Sequence, residues 1–239
     1  MMRQTIRLVI LSVLSVLSVL VCANSQPGFK GGFSSIPPWL QQQMQTRGNS
    51  WHRGCPVSLN QLSYLTVSYW GFDNKSHIGH IIINKQLAVE VVQIFEELYQ
   101  HHFPIENMQL PSYHNSSARD DDSHGFECYQ DPENKSQFSM HAYGIAIDIN
   151  PVYNPYEQTP GHAYPAKGQK FLDRSLTHRG MVKVNGPVFN AFIKRGWIWG
   201  GFSQKRDYMH FRKVLTPYYR VDKMRYVSPS VRIKSLPNF

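Results

Sequence analysis

Cysteine is scarce, with 3 residues in 239, and one of them, Cys22, sits in an apolar N-terminal run. A chain this long with so few thiols is no disulfide-only miniprotein; it must bury an apolar core, as one domain of ordinary size or two small ones. Charge is thin too: charged residues make up 17%, and the acidic sign is the rarer, 16 against 25 basic. The apolar share of 41%, with 13 Tyr, 13 Phe and 5 Trp, excludes a mainly disordered chain. No long uncharged apolar stretch reaches the roughly 20 residues that cross a bilayer as a helix. The sequence also has no base-reading motif, which argues against nucleic acid as a partner.

What is present begins with a leader. Arg3 and Arg7 precede an uncharged run from Leu8 to Ala23, 16 residues long, that exits through Ala23, Asn24 and Ser25. A basic start, an apolar middle and a small-residue exit are the pattern of a secretory signal peptide. Residues 1–23 are therefore expected to be a leader cleaved near Ala23 or Ser25, leaving a periplasmic or secreted protein with no stable transmembrane segment; a leader retained as an anchor is the alternative. Lipidation at Cys22 fits poorly, because Val21 stands where a small residue is expected. The mature chain keeps Cys55 and Cys128, which in an oxidising compartment are expected to form one disulfide; two buried free thiols are the alternative. Closing that loop stabilises the fold by about 4 kcal/mol in the chain-entropy account. The basic excess is local: Lys213 to Phe239 carries six Lys or Arg against Asp222 alone. The tail, taken as residues 216–239, suits either an anionic cell-envelope surface or plain solvation.

Residues 24–60 are rich in Gly, Pro, Gln and Ser and read as a linker-like segment with little regular structure, the folded domain starting near Gln61. From Gln86 to His102, Leu87, Val91, Ile94, Phe95 and Leu98 recur at helical spacing, with Asn84 as a plausible N-cap. His80–Ile83 before it reads as a short buried strand. Pro187, followed by Val188, Phe189, Phe192 and Ile193 and stopped by Gly196, marks a second helix. Trp197 to Phe202 reads as a strand and turn. Between the helices, Ile145, Ile147 and Ile149 alternate with Ala146 and Asp148, so a strand there sends Asp148 to the face opposite the isoleucines. Residues 151–170, with Pro, Gly and Asn at turn spacings, read as a long ordered loop. The mixture predicts an α+β fold: a small, mainly antiparallel sheet with flanking helices.

Two stretches carry candidate chemistry. Ser139-Met-His141-Ala-Tyr-Gly144-Ile-Ala146-Ile-Asp148 and Asp207-Tyr-Met-His210-Phe together offer two imidazoles and two carboxylates. A hydrolytic zinc site needs three protein ligands and an open position, which His141, Asp148 and His210 can supply. Asp207, three positions before His210, is then the candidate general base.

These motifs, with Trp199-Gly200-Gly201 between them, resemble the zinc peptidases of peptidoglycan: D-alanyl-D-alanine carboxypeptidases, vancomycin-resistance (VanY-like) D,D-peptidases and phage endolysins that cut L-alanyl-D-glutamate bonds. The resemblance runs from about Tyr69 to Phe211 and takes in FPIENM at 103–108 and HAYGIAIDINP at 141–151. It implies a Hedgehog/D,D-peptidase-like fold over residues 61–215, Zn2+ on His141, Asp148 and His210, and Asp207 as catalytic base. It further implies Ser139 in support of the site, Gly144 and Ala146 kept small by close packing beside the metal, and Trp199-Gly200-Gly201 as a turn bracing His210. The implied substrates are peptidoglycan stem peptides, cut at a D-amino-acid-containing bond. Relatives often have an arginine directly after the F-x-C stretch; here Phe126-Glu-Cys128 is followed by Tyr129. Arg119 is the first substitute for that cation, Lys135 and Arg206 are weaker ones, and Tyr129 can offer a neutral hydrogen bond. The loss leaves a rival expectation, a non-catalytic or weakly active peptidoglycan-binding protein on the same zinc fold.

Other motifs carry less. His77-Ile-Gly-His80 spells the HIGH signature of class I aminoacyl-tRNA synthetases without their Rossmann frame or lysine-rich loop. His101 and His102 suit a helix C-terminus. Asp120, Asp121 and Asp122 are expected to form an exposed acidic loop rather than a calcium cradle. Asn74, Asn115 and Asn134 fit the N-x-[ST] pattern.

Overall fold

The computed structural model describes residues 28–46, 50–110 and 121–216. The expected leader, Cys22, Asn115, Arg119, Asp120 and the tail beyond residue 216 lie outside the described residues. The chain opens with strand β1 (Gly31–Ser35) and helix α1 (Pro38–Thr46), so the stretch expected to have little regular structure carries two elements. The reason is physical: β1 is held by backbone pairing to an edge, Gly31 opposite Val67 and Ser35 opposite Ser63, and such pairing needs no side-chain pattern. In α1, Pro38 starts the helix, and Leu40 and Met44, four apart, supply its buried face.

Strands β2 (Leu62–Trp70) and β3 (Ser76–Asn84) form the central antiparallel hairpin, in register from Leu62 opposite Asn84 to Trp70 opposite Ser76. The strand expected over 80–83 is thus longer at its start, where the turn at Gly71–Lys75 sets the pairing. Period-two alternation gives the sheet two buried faces. Leu65, Val67, Ile81 and Ile83 face helix α2 (Ala88–Gln100), where Val91, Ile94, Phe95 and Leu98 meet them. Ile82 and Leu62 face the other way, into a second core with Leu40, Met44, Val57, Leu110, Phe126 and Cys128. Each fully buried aliphatic or aromatic side chain here contributes about 1.5–3 kcal/mol. Asn84 accepts from the Gln86 N–H at 3.1 Å and caps the helical entry. Cys55 and Cys128 are bonded, S–S 2.04 Å, closing a loop between residues 73 apart.

The second half builds a smaller antiparallel sheet, β4 (Ala146–Asp148), β7 (Ile198–Trp199) and β8 (His210–Arg212), with β8 in the middle. Residues 151–170 are more structured than a loop: β5 (Tyr156–Thr159) and β6 (His162–Tyr164) form a hairpin, followed by a 3-10 turn over Ala166–Leu172. Helix α3 (Pro187–Ile193) starts on Pro187 and ends before Gly196, whose φ of 75° is the left-handed stop. Phe192 of α3 stacks on Phe211 of β8 at 4.1 Å, which seats the small sheet on the main core. The fold is α+β with small antiparallel sheets and a few helices, as the residue pattern predicts. Among the described residues no helix is long and apolar enough to cross a membrane.

Candidate metal centre

Ile145, Ile147 and Ile149 of the β4 segment are fully buried in the main core, and the alternation turns Asp148 the other way. Asp148 lies directly opposite His210 in the β4–β8 pairing. His141 comes from the 3-10 turn Met140–Tyr143 just before β4, capped by Ser139, whose hydroxyl accepts from the His141 N–H at 3.3 Å. The three groups singled out by spacing therefore converge. His210 Nδ1 is 2.9 Å from Asp148 Oδ1, His141 Nε2 is 3.2 Å from His210 Nδ1, and His141 Nε2 is 3.3 Å from Asp148 Oδ1. A tetrahedral ion with bonds of about 2.0–2.1 Å needs donors roughly 3.3 Å apart, so two nitrogens and one oxygen at these separations fit a divalent cation. The His141 ring is oriented for it. Its Nδ1 donates to the Gly125 carbonyl at 2.6 Å, leaving Nε2 to face the cluster.

The electrostatics divide the two carboxylates. Burial alone would raise Asp148, but His141 and His210 outweigh it and hold its carboxyl well below the usual range. Asp148 in turn raises His210 against the opposing effect of burial. Asp207 behaves oppositely: burial pushes its carboxyl up to about 7, Asp148 adding to the shift and the histidines opposing it. Its Oδ1 is shut away from solvent and accepts no hydrogen bond from the described residues. Two carboxylates pushed apart in this way are the signature of divided acid–base roles. The double glycine positions Asp207. A Cβ on Gly200 would lie 2.6 Å from the Asp207 carbonyl and 3.3 Å from that of His210, and Asp207 N donates to Gly200 O at 3.2 Å. The β5–β6 hairpin flanks the same segment through a bridge between Tyr156 and Asp207.

Other expected positions come out differently. Gly144 is small for packing remote from the ligand atoms: its φ is 66°, and a Cβ would sit 2.7 Å from the Asn84 nitrogen. Trp197 and Trp199 are both buried core; Trp199 also donates to the Tyr208 carbonyl at 2.9 Å and so ties down the Asp207–His210 segment. Tyr129 lies at the site. Its ring stacks over His141 at 6.1 Å, it hydrogen-bonds Ser139, and burial followed by the Asp148 charge raises its phenol well above the ordinary value. Arg206 and Lys135 are exposed, and Arg206 lines a groove of about 660 Å³ with Arg174, Lys183 and Phe202, none of which belongs to the cluster. Asp121 and Asp122 do not form an exposed loop: Asp122 is buried, and Asp121 accepts from the Val152 N–H at 2.7 Å. His124, which no sequence motif marks, also stands here, its ring stacked on that of His141 at 4.8 Å.

Residues 133–213 match the family model described as D-alanyl-D-alanine carboxypeptidase. Over that segment the chain is similar to this peptidase family. The match spans both motifs that hold His141, Asp148, Asp207 and His210, and covers about a third of the chain. Residues 69–132 of the wider resemblance, including Phe126–Tyr129, lie outside it. No curated protein and no solved structure matches the chain.

Proposed function

We propose that the protein is an exported, zinc-dependent peptidase that hydrolyses a D-amino-acid-containing bond of peptidoglycan stem peptides. The observation that carries this reading is the convergence of His141, Asp148 and His210 at 2.9–3.3 Å beside Asp207, a carboxyl poised near neutrality. Zinc, held by His141, Asp148 and His210, would supply Lewis acidity for a carbonyl and a lowered pKa, toward about 7, for water. Asp207 accepts the proton of the attacking water and returns it to the leaving amine, a contribution of about 10² to 10⁴ in rate. The Tyr129 hydroxyl, kept neutral by burial, offers one hydrogen bond where relatives often carry a cation. Export is supported by the leader pattern and by the Cys55–Cys128 bridge, which suits an oxidising compartment. The basic tail is proposed only as a contact for an anionic envelope surface.

Tyr129 in place of arginine favours a second reading, a stem-peptide-binding protein with little turnover. Mass analysis of a defined tetrapeptide and pentapeptide pair, incubated with purified protein with and without a chelator, separates the two. Chelator-sensitive loss of a terminal D-alanine or of an internal bond supports the peptidase and names its type. Intact peptides that nevertheless bind support the second reading.

A further inference from the structure

We propose that His124 is a fourth metal ligand of this site, making the donor set three imidazoles and a carboxylate. The inference rests on the reading of His141, Asp148 and His210 as ligands and adds a residue that neither motif contains, so the position left for water would be the fifth of an expanded coordination. Backbone pairing supplies the first reason. His124 N–H donates to Asp148 O at 3.1 Å and Asp148 N–H donates to His124 O at 2.9 Å, the mutual bonding of directly opposed antiparallel residues. On its other edge Asp148 is opposed to His210. His124, Asp148 and His210 therefore form one cross-strand row, and side chains in such a row share a face.

The second reason is the state of the ring. His124 Nδ1 lies 3.1 Å from the Asp122 carbonyl, and a carbonyl can only accept, so Nδ1 carries a hydrogen and Nε2 is the nitrogen left to meet an ion. His141 is oriented in the same way by Gly125, three residues further on, and the two rings stack with an interplanar angle of 22°. The Nε2 of His124 faces Asp148 Oδ2 at 3.9 Å, and its ligand atom lies within 4.8 Å of those of His141 and Asp148. A metal-ligating histidine almost always donates its other ring N–H to a carbonyl or carboxylate, and the Nδ1 contact with the Asp122 carbonyl gives His124 that arrangement, with Nε2 turned to Asp148.

The test uses the full mature protein, stripped of metal, in titrations with Co2+ read by visible absorption and in competition with a chromophoric chelator for Zn2+. His124→Phe keeps a ring to stack on His141 but removes the nitrogen; His124→Ala removes both, and thermal melts check that each variant is folded. The expected result is metal affinity about 10 to 100 times weaker than wild type, together with an altered cobalt spectrum that reports a changed coordination number. His124→Phe binding cobalt with wild-type affinity and spectrum overturns the inference while leaving the three-ligand site standing. Weaker binding with an unchanged spectrum also overturns direct ligation. If the wild-type chain binds neither ion, or His210→Ala binds as well as wild type, the underlying site reading falls and this inference with it.

Discussion

Asp207 and Asp148 are both carboxyls at one cluster, yet their surroundings drive them in opposite directions. Burial would raise Asp148, but the two imidazoles against it outweigh that and keep it ionised, the state that metal ligation would require. Asp207 is half-buried, with its Oδ1 shut away from solvent and unpartnered among the described residues and Asp148 nearby, and burial pushes its carboxyl up to about 7 against an ordinary 3.8. A carboxyl whose folded value is raised holds its proton in the native state while the unfolded chain has lost it. Its contribution to stability therefore declines as pH rises from about 4 to about 7 and is flat beyond. In the metal-free protein, Asp207→Asn is expected to melt higher than wild type by a few degrees, with a gap that opens across that window and stays constant above it. Thermal melts at several pH values in chelator check this, and a gap independent of pH refutes the buried-charge account. With metal present, Asp207→Ala is expected to retain the ion but lose about 10² to 10⁴ in turnover. His210→Ala is expected to lose both ion and turnover, as metal analysis beside the peptide assay will show.

At the scale of elements, the site depends on β4 and β8 lying side by side and on the turn that feeds β8. Gly200 is the tight point, since a methyl there meets the Asp207 carbonyl at 2.6 Å and that carbonyl is backbone, which cannot swing aside. Gly200→Ala is expected to displace Asp207 and lower turnover at least about tenfold, the scale on which misplacement of a reacting group is felt, while far-ultraviolet circular dichroism keeps its native shape. Phe211→Ala, which empties a fully buried position stacked on Phe192, is expected to cost about 3–5 kcal/mol in denaturant unfolding. These elements also show what the residues disclose. Helix α2, helix α3 and β4 are legible because their apolar periods match the cores they meet. His141, Asp148, Asp207 and His210 are legible because they fall in two compact motifs. β1 is not, because an edge strand of Gly, Phe and Ser is held by backbone bonds that leave no periodic trace. His124 is not, because its place is set by a bridge to Asp148, 24 positions further along the chain, and no local spacing encodes that pairing.

Across the whole molecule, the segment from Asp122 to Tyr129 joins the two cores to the site. Phe126 and Cys128 anchor it in the second core, where Cys128 bonds to Cys55. Its Gly125 carbonyl orients His141, its His124 pairs with Asp148, and its Tyr129 stacks over His141. The bridge thus restrains at one end a segment that helps shape the candidate metal centre at the other. Removing it with Cys55→Ser and Cys128→Ser frees a loop closed over 73 residues, at a cost of about 4 kcal/mol. For a chain of this size, about 2–4 °C per kcal/mol translates that into a drop of roughly 8–16 °C in Tm. Zinc at 100 times its dissociation constant stabilises the native state by about 2.7 kcal/mol, and that gain depends on how well the donors are preorganised. If the bridge and the centre share the 122–129 segment, their effects are coupled. The double serine variant is expected to show a smaller zinc-induced rise in Tm than the disulfide-bonded protein at the same total zinc, because its affinity for the ion is lower. Equal rises in both proteins would mean that the segment is held by packing around Phe126 alone, and that the disulfide stabilises the fold without reaching the site.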